Sequence, residues 1–170
     1  MTSRVRVDQV LPVFTSRDAI GVHTRNVQKA LRANGFESEI YFHRSSVDVA
    51  ALGHLIEALP LDDSDRIVLY HASTGSKVAD TLSKFKGSLM VDYHNITPAK
   101  YFQQWDPVIA SEVALGRRQL AQLAQTSIGA VADSAFNERE LIDIGYTNTA
   151  VAPLLIDLED QNRSVNNDLF

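Results

Sequence analysis

The chain lacks cysteine, a strong excess of either charge and any long apolar run, and each absence excludes a class of protein. Without cysteine there can be no disulfide bond and no thiolate-bound metal, which fits a reducing compartment. The net charge of −5 provides no basic surface for nucleic acid. No stretch approaches the ~18–20 apolar residues that cross a bilayer, and residues 1–7 lack the apolar core of a signal peptide. We therefore expect a cytoplasmic protein that is at most peripherally associated with a membrane and binds no nucleic acid.

The 170 residues are 45% hydrophobic and 22% charged, which is typical of one globular domain with a full core. Short apolar runs predict strands at 5–14, 39–42, 66–70, 89–93, 127–132 and 148–155. Helical patterns lie between these runs, and strands that alternate with helices indicate right-handed βαβ units. The sequence therefore predicts an α/β fold: a Rossmann-like, doubly wound, mainly parallel sheet of about six strands with helices on both faces.

Two local features refine the first βαβ unit. Pro12 cannot donate a hydrogen bond to a neighbouring strand, so we expect the first strand to be interrupted or bulged there. Residues 15–21 are predicted to form a loop, because the helical pattern begins only at Val22 and ends at Gly35.

Two further helices are predicted from spacing and caps. Leucine and isoleucine spacing predicts a helix over 52–59, which Pro60 ends. The longest helix should begin at Asp106-Pro107, an N-cap carboxylate followed by proline at the first helical position. Gly116 lies on the apolar stripe of that helix, which predicts close approach of a neighbouring element.

The most informative stretch is 88–98, where a predicted strand ends in ionisable side chains. Asp92 and His94 project from the same face of that strand, and His71, which ends the preceding strand, can lie beside them. The carboxyl ends of parallel strands are where open α/β sheets bind ligands. A histidine next to a carboxylate can serve as acid, base or ligand. One alternative is that Asp92 only anchors His94 by a hydrogen bond. Another is a metal site formed by His71, Asp92 and His94, although no metalloprotein spacing is present.

Two more junctions carry polar residues at the same predicted edge. Residues 16–23 lie where a strand gives way to a helix, so backbone N–H groups could bind an anion and Gly21 would permit close approach. Asp18 could instead simply cap that helix. Ser134 follows the fifth strand and is either a helix cap or a ligand contact. The dinucleotide fingerprint G-x-G-x-x-G is absent, which argues against a nicotinamide or flavin cofactor, and the aromatic residues at 101–105 line a pocket or pack in a loop.

Read together, several segments resemble the N-terminal domain of GT-B glycosyltransferases of the large retaining family 4, once called group 1. The resemblance spans nearly the whole chain, and its segments from Val91 onward are specific in combination. The matching segments are DAIG at 18–21, YHASTGS at 70–76, VDYHNITP at 91–98, GAVADSAFNEREL at 129–141 and GYTNTAVAPLLID at 145–157.

The resemblance implies a transferase that moves a sugar from a nucleotide-diphosphate sugar to an acceptor, a small molecule or a glycan, with retention of configuration. It implies no metal and no other cofactor. The first domain of such enzymes mainly holds the acceptor and the second holds the donor. By this likeness His94 is the catalytic residue near the reacting centre, and Gly21 lies near the donor phosphates or the transferred sugar. The remaining implied residues line the cleft: Asp18, His71, Tyr93 and Ser134.

The same likeness predicts how the chain is divided. Residues 1–157 form the acceptor-side domain, and 158–170 begin an interdomain linker, with the donor-binding domain absent from the chain. We therefore expect these 170 residues alone to transfer no sugar, because the leaving diphosphate would lack its partners.

Two other functional classes compete with the glycosyltransferase. One is a flavodoxin-like binding or receiver module. His71 argues against a receiver, because it occupies the position after the third strand where a receiver needs an aspartate. The other is a small metal-dependent hydrolase that uses His71, Asp92 and His94.

Overall fold

Residues 5–156, the part of the chain that a computed structural model describes, form strands and helices in alternation. The strands are β1 (Val7–Phe14), β2 (Ile40–Ser45), β3 (His54–Leu55), β4 (Ile67–Ala72), β5 (Ser88–Tyr93), β6 (Gly129–Ala132) and β7 (Thr149–Val151). The α-helices are α1 (Ala19–Ala33), α2 (Lys77–Leu82), α3 (Pro107–Leu123) and α4 (Ala135–Asp143). Short 3₁₀ turns occupy Ala50–Leu52, Ile56–Ala58 and Ala99–Tyr101.

The described strands form one parallel sheet in the order β3-β2-β1-β4-β5-β6-β7. The chain builds outward from β1 to β3 and then returns to place β4 on the other side of β1. The topological switch point therefore lies between β1 and β4. Right-handed crossovers put α1 on one face and α2, α3 and α4 on the other. The predicted Rossmann-like α/β fold is confirmed.

The two faces of the sheet differ in chemistry. The face under α2, α3 and α4 is mainly apolar, and Val10, Tyr70 and Val91 are at most 2% exposed there. The opposite face carries buried polar side chains under α1, among them Gln9 and Asp92. Buried polar groups need hydrogen-bond partners, so the polar side chains of this second face are expected to bond to one another or to α1.

Three local predictions are wrong. The predicted helix at 52–59 is two 3₁₀ turns around β3, because residues 54 and 55 pair with β2 instead of continuing a helix. Helix α1 begins at Ala19, inside the predicted 15–21 loop, because the Asp18 side chain accepts the N–H of Gly21 at 2.6 Å. Strand β1 is continuous through Pro12, since its register against β2 is the same on both sides of the proline.

The predictions for the longest helix are confirmed at its start and at Gly116. The Asp106 carboxylate accepts the N–H groups of Val108 and Ile109, both at 3.0 Å, and Pro107 is the first residue of α3. A side chain at Gly116 would come within 2.8 Å of the Thr74 carbonyl carbon. The missing side chain therefore lets α3 touch the turn that precedes α2.

The described part of the chain contains no helix that is both long and apolar enough to cross a bilayer. The predicted linker at 158–170 lies outside the described residues.

Candidate functional site

A buried group of three histidines and one aspartate lies at the carboxyl edge of the sheet, beneath α1. His23 is in α1, and His94 directly follows β5. His71 on β4 and Asp92 on β5 are register partners, so their side chains leave the same face of the sheet. We call these four residues the histidine cluster. It lies over the carboxyl ends of β4 and β5 next to the switch point, where open α/β sheets bind ligands.

The Asp92 carboxylate is the centre of the histidine cluster. Its Oδ2 lies 3.0 Å from His23 Nε2, 3.3 Å from His71 Nδ1 and 3.5 Å from His94 Nε2. His71 Nδ1 and His94 Nε2 are themselves 3.0 Å apart. At most 7% of any of these side chains is exposed. The expectation that His71, Asp92 and His94 lie together is confirmed.

The backbone fixes the tautomer of His23. The N–H of Leu155 donates to His23 Nδ1 at 2.8 Å, so this nitrogen must carry a lone pair. A neutral His23 therefore carries its hydrogen on Nε2 and donates it to Asp92 Oδ2. The Asn26 side chain donates to the carbonyl oxygen of the same Leu155 at 2.9 Å. The segment after β7 is thus held on α1 at the histidine cluster.

A buried glutamine fixes His71 in the same way. The Gln9 amide nitrogen donates to the Thr24 carbonyl oxygen at 3.0 Å, which leaves its Oε1 as the acceptor for His71 Nε2, also at 3.0 Å. A neutral His71 therefore carries its hydrogen on Nε2, away from the cluster. Its Nδ1 lone pair then faces Asp92 and His94.

The environment shifts the pKa values of two members of the cluster. Burial works to raise the pKa of Asp92, but the hydrogen bond from His23 and the attraction of the nearby His71 and His94 imidazoles outweigh burial and hold that pKa below its usual range. Burial lowers the pKa of His94 to about 3, against the attraction of the Asp92 carboxylate. Asp92 is therefore ionised and His94 neutral near pH 7.

Acid should weaken the fold through His94. Its pKa is about 3 in the folded chain and 6.5 for a free histidine, so the unfolded state binds more protons between these values. The free energy of unfolding should consequently fall as pH drops from about 6.5 toward 3, by up to ~1.4 kcal/mol per pH unit. Denaturant titrations at pH 7, 6 and 5 measure this slope. The His94→Gln variant should have a smaller slope than the parent, whereas His54→Gln, at an exposed position, should keep the slope of the parent. Equal slopes for His94→Gln and the parent would contradict the assignment.

Two other predicted site residues lie at the start of α1. Asp18 is its N-cap, as the alternative from sequence proposed, and the Thr15 hydroxyl donates to the Asp18 carboxylate. The N–H of Gly21 donates to the Asp18 carboxylate. The space where a Gly21 side chain would stand is filled by the Thr15 backbone. The structure thus assigns packing and capping to these residues, and any contact with a donor stays a prediction.

Tyr93 and Ser134 do not join the histidine cluster. The Tyr93 side chain is buried on the opposite face, where its hydroxyl donates to the Glu140 carboxylate and accepts the Ile96 N–H at 3.1 Å. Burial, reinforced by the bond to Glu140, raises the pKa of this tyrosine. Ser134 lies at the same edge of the sheet and caps α4, with its hydroxyl accepting the N–H of Asn137 at 3.3 Å.

Sequence reasoning missed three participants: His23, Gln9 and Leu155. Each reaches the cluster only through contacts between distant segments: α1 places His23 against Asp92 of β5, and the segment after β7 places Leu155 against His23. A signal for His23 existed, because a helix capped by Asp18 places His23 just past its first turn, close to the carboxyl edge of the sheet. No comparable local signal marks Gln9 or Leu155.

A surface pocket opens at the same edge, beyond the ends of β1 and β2. It is lined by Thr15, Ser16, Arg17, Ser46, Val47 and Asp48. Its polar groups face each other, since the Ser16 hydroxyl donates to the Asp48 carboxylate and lowers the pKa of that group. Of the aromatic residues at 101–105, Tyr101 and Trp105 are 62% and 85% exposed.

Comparisons with known proteins assign no family to this chain. No protein-family model matches it, and no curated protein matches it. Inference about its function therefore rests on the residues and their geometry.

Proposed function

We propose that this chain is the acceptor-side domain of a retaining GT-B glycosyltransferase, which transfers a sugar from a nucleotide-diphosphate sugar to an acceptor. One observation carries the proposal. Four of the five segments that resemble the family, scattered from 18 to 141, lie along the carboxyl edge of one parallel sheet, from the switch point to β6. That edge is where an enzyme of this architecture binds its substrates.

The histidine cluster supports a role for His94 beside the reacting atoms. Asp92 and His71 orient its ring through Nε2, and the neutral form prevails near pH 7. Only 2% of the His94 side chain is exposed, so its ring has to move before it can touch a substrate. The donor diphosphate would approach residues 15–18, which lead into the first turn of α1 and Gly21, and the adjoining pocket at 46–48 would face the acceptor.

A hydrolase built on His71, Asp92 and His94 is less well supported. Hydrolysis at a metal requires an open position for water and substrate. The three side chains are at most 4% exposed, which leaves no room for a substrate in this arrangement.

The test uses this chain together with the donor-binding domain that the proposal requires, whether that domain continues the same polypeptide or is a separate chain. The complete protein is incubated with a panel of nucleotide-diphosphate sugars, and release of the nucleoside diphosphate is followed. We expect release from at least one donor, and none from the 170 residues alone. His94→Ala should lower kcat/KM by ~100-fold or more, and the exposed His54→Ala should leave it unchanged.

Two results would overturn the proposal. The first is that no nucleotide-diphosphate sugar binds or reacts. The second is that His94→Ala keeps full activity while its circular dichroism spectrum and unfolding midpoint match those of the parent.

A further inference from the structure

The geometry points to a cation site in the histidine cluster, one that binds a borderline divalent metal such as zinc through His71, Asp92 and His94. This departs from the expectation that the protein takes no metal, and it does not depend on the proposed function. The three ligand atoms would be His71 Nδ1, Asp92 Oδ2 and His94 Nε2, and they lie 3.0, 3.3 and 3.5 Å apart. Ligands about 2.1 Å from a tetrahedral zinc ion stand about 3.4 Å apart, so little movement is needed.

Hydrogen bonds alone do not satisfy this triangle. A neutral His71 carries its hydrogen on Nε2, where it donates to Gln9, so the triangle of His71 Nδ1, Asp92 Oδ2 and His94 Nε2 holds at most one hydrogen, on His94 Nε2. At least one pair then has lone pairs facing each other. A cation at the centre would accept all three lone pairs at once.

One buried oxygen of the cluster independently indicates a missing partner. Asp92 Oδ1 is shielded from solvent and has no hydrogen-bond partner among residues 5–156; the same holds for His94 Nδ1, which the cation would not contact. Buried polar atoms in native proteins are rarely left this way. Asp92 Oδ1 is available as a fourth donor if the carboxylate binds through both oxygens.

The surroundings match those that orient metal ligands in proteins. Ligating histidines usually donate their second N–H to a carbonyl or carboxylate, and the bond from His71 to Gln9 Oε1 has that form. His23 occupies the outer position as well, since Leu155 holds its hydrogen on Nε2, where it donates to Asp92. His23 is therefore a supporting residue and not a ligand in this arrangement. Two imidazoles and a carboxylate suit zinc, iron or nickel, whereas magnesium and calcium prefer oxygen donors.

The test measures zinc binding to the purified 170-residue chain after treatment with a chelator and dialysis. Isothermal titration with zinc should show one equivalent bound with micromolar or tighter affinity, and magnesium should give no signal. Affinity should fall by ~100-fold or more in His71→Ala and Asp92→Asn. Gln9→Leu, which removes only the supporting acceptor, should weaken binding by ~10-fold to 100-fold. The exposed His54→Ala should bind like the parent, which excludes adventitious binding at a surface histidine.

A second measurement covers the case in which the buried variants do not fold. Ring ¹⁵N chemical shifts of the parent chain are recorded with and without one equivalent of zinc. The signals of His71 Nδ1 and His94 Nε2 should move as expected for ligating nitrogens, and His23 Nδ1 should not. The proposal is wrong if zinc fails to bind, if His71→Ala folds and binds like the parent, or if the shifts of both ligand nitrogens are unchanged.

Discussion

Gly21→Ala should destabilise the chain by at least about 2 kcal/mol, although alanine is normally the better helix former. An added methyl group would overlap the Thr15 carbonyl oxygen and lie 3.0 Å from the Thr15 carbonyl carbon. Both atoms belong to backbone that cannot rotate away, and overpacking of this kind typically costs ~1–3 kcal/mol or more. The clash also opposes the cap, because Thr15 donates to Asp18 and Asp18 accepts from Gly21.

Urea denaturation of Gly21→Ala and of Lys29→Ala measures this cost. Lys29 is an exposed residue of the same helix, so alanine there meets no neighbour and should change stability by less than ~0.5 kcal/mol. Helix propensity alone would make Gly21→Ala more stable than the parent by up to ~1 kcal/mol. A variant as stable as the parent would therefore show that the α1 start does not pack against Thr15 as described.

Arg66→Met should cost ~3–5 kcal/mol, because it leaves Asp8 as a buried, unpaired carboxylate. Arg66 is 4% exposed and Asp8 is fully buried, and they form an ion pair. The Glu39 N–H, which donates to Asp8 at 2.7 Å, compensates only part of that charge. The double variant Asp8→Leu with Arg66→Met removes both charges and should be less destabilised than Arg66→Met alone.

The pH dependence of the same variant gives a second criterion. Burial already raises the pKa of Asp8, opposed by the Glu39 N–H and by Arg66, so loss of Arg66 should raise it further. A folded-state pKa above the unfolded value favours folding at low pH and loses that contribution as pH rises through it. The deficit of Arg66→Met relative to the parent should therefore be larger at pH 8 than at pH 5.

Lys86→Ala is the matched control for both measurements. It breaks the ion pair with Asp62, whose side chains are 69% and 84% exposed, and should change stability by less than ~1 kcal/mol at either pH. A loss for Arg66→Met no larger than that for Lys86→Ala would show that the Asp8 pair is not buried in solution.

The sequence predicted the elements whose signals are local. The apolar runs located six strands, and Asp106-Pro107 located the start of α3, because caps and periodicity are properties of neighbouring residues. Strand β3 was missed because two residues are too few to show an alternating apolar pattern, and only their pairing with β2 makes them a strand. The start of α1 was placed too late because its first turn is set by the Asp18 cap and not by an apolar stripe.

The part of the candidate site that lies on the strands was predictable in the same way. Strand alternation places Asp92 and His94 on one side, and pairing of the two strands makes His71 their neighbour. His23 depends on the angle at which α1 crosses β5, and Leu155 depends on the return of the chain after β7. Such contacts are decided by packing between distant segments, which no window of sequence contains.

The hydrogen bond from Leu155 to His23 joins two quantities that are usually independent: the place of a chain segment and the place of a proton. While the Leu155 amide is present, His23 has to keep its hydrogen on the nitrogen that serves Asp92. If that amide withdraws, the ring is free to exchange its hydrogen between nitrogens and to release the carboxylate. By thermodynamic linkage, a change that favours one tautomer of His23 shifts the docking of residues 152–156 by the same free energy, and the reverse holds equally.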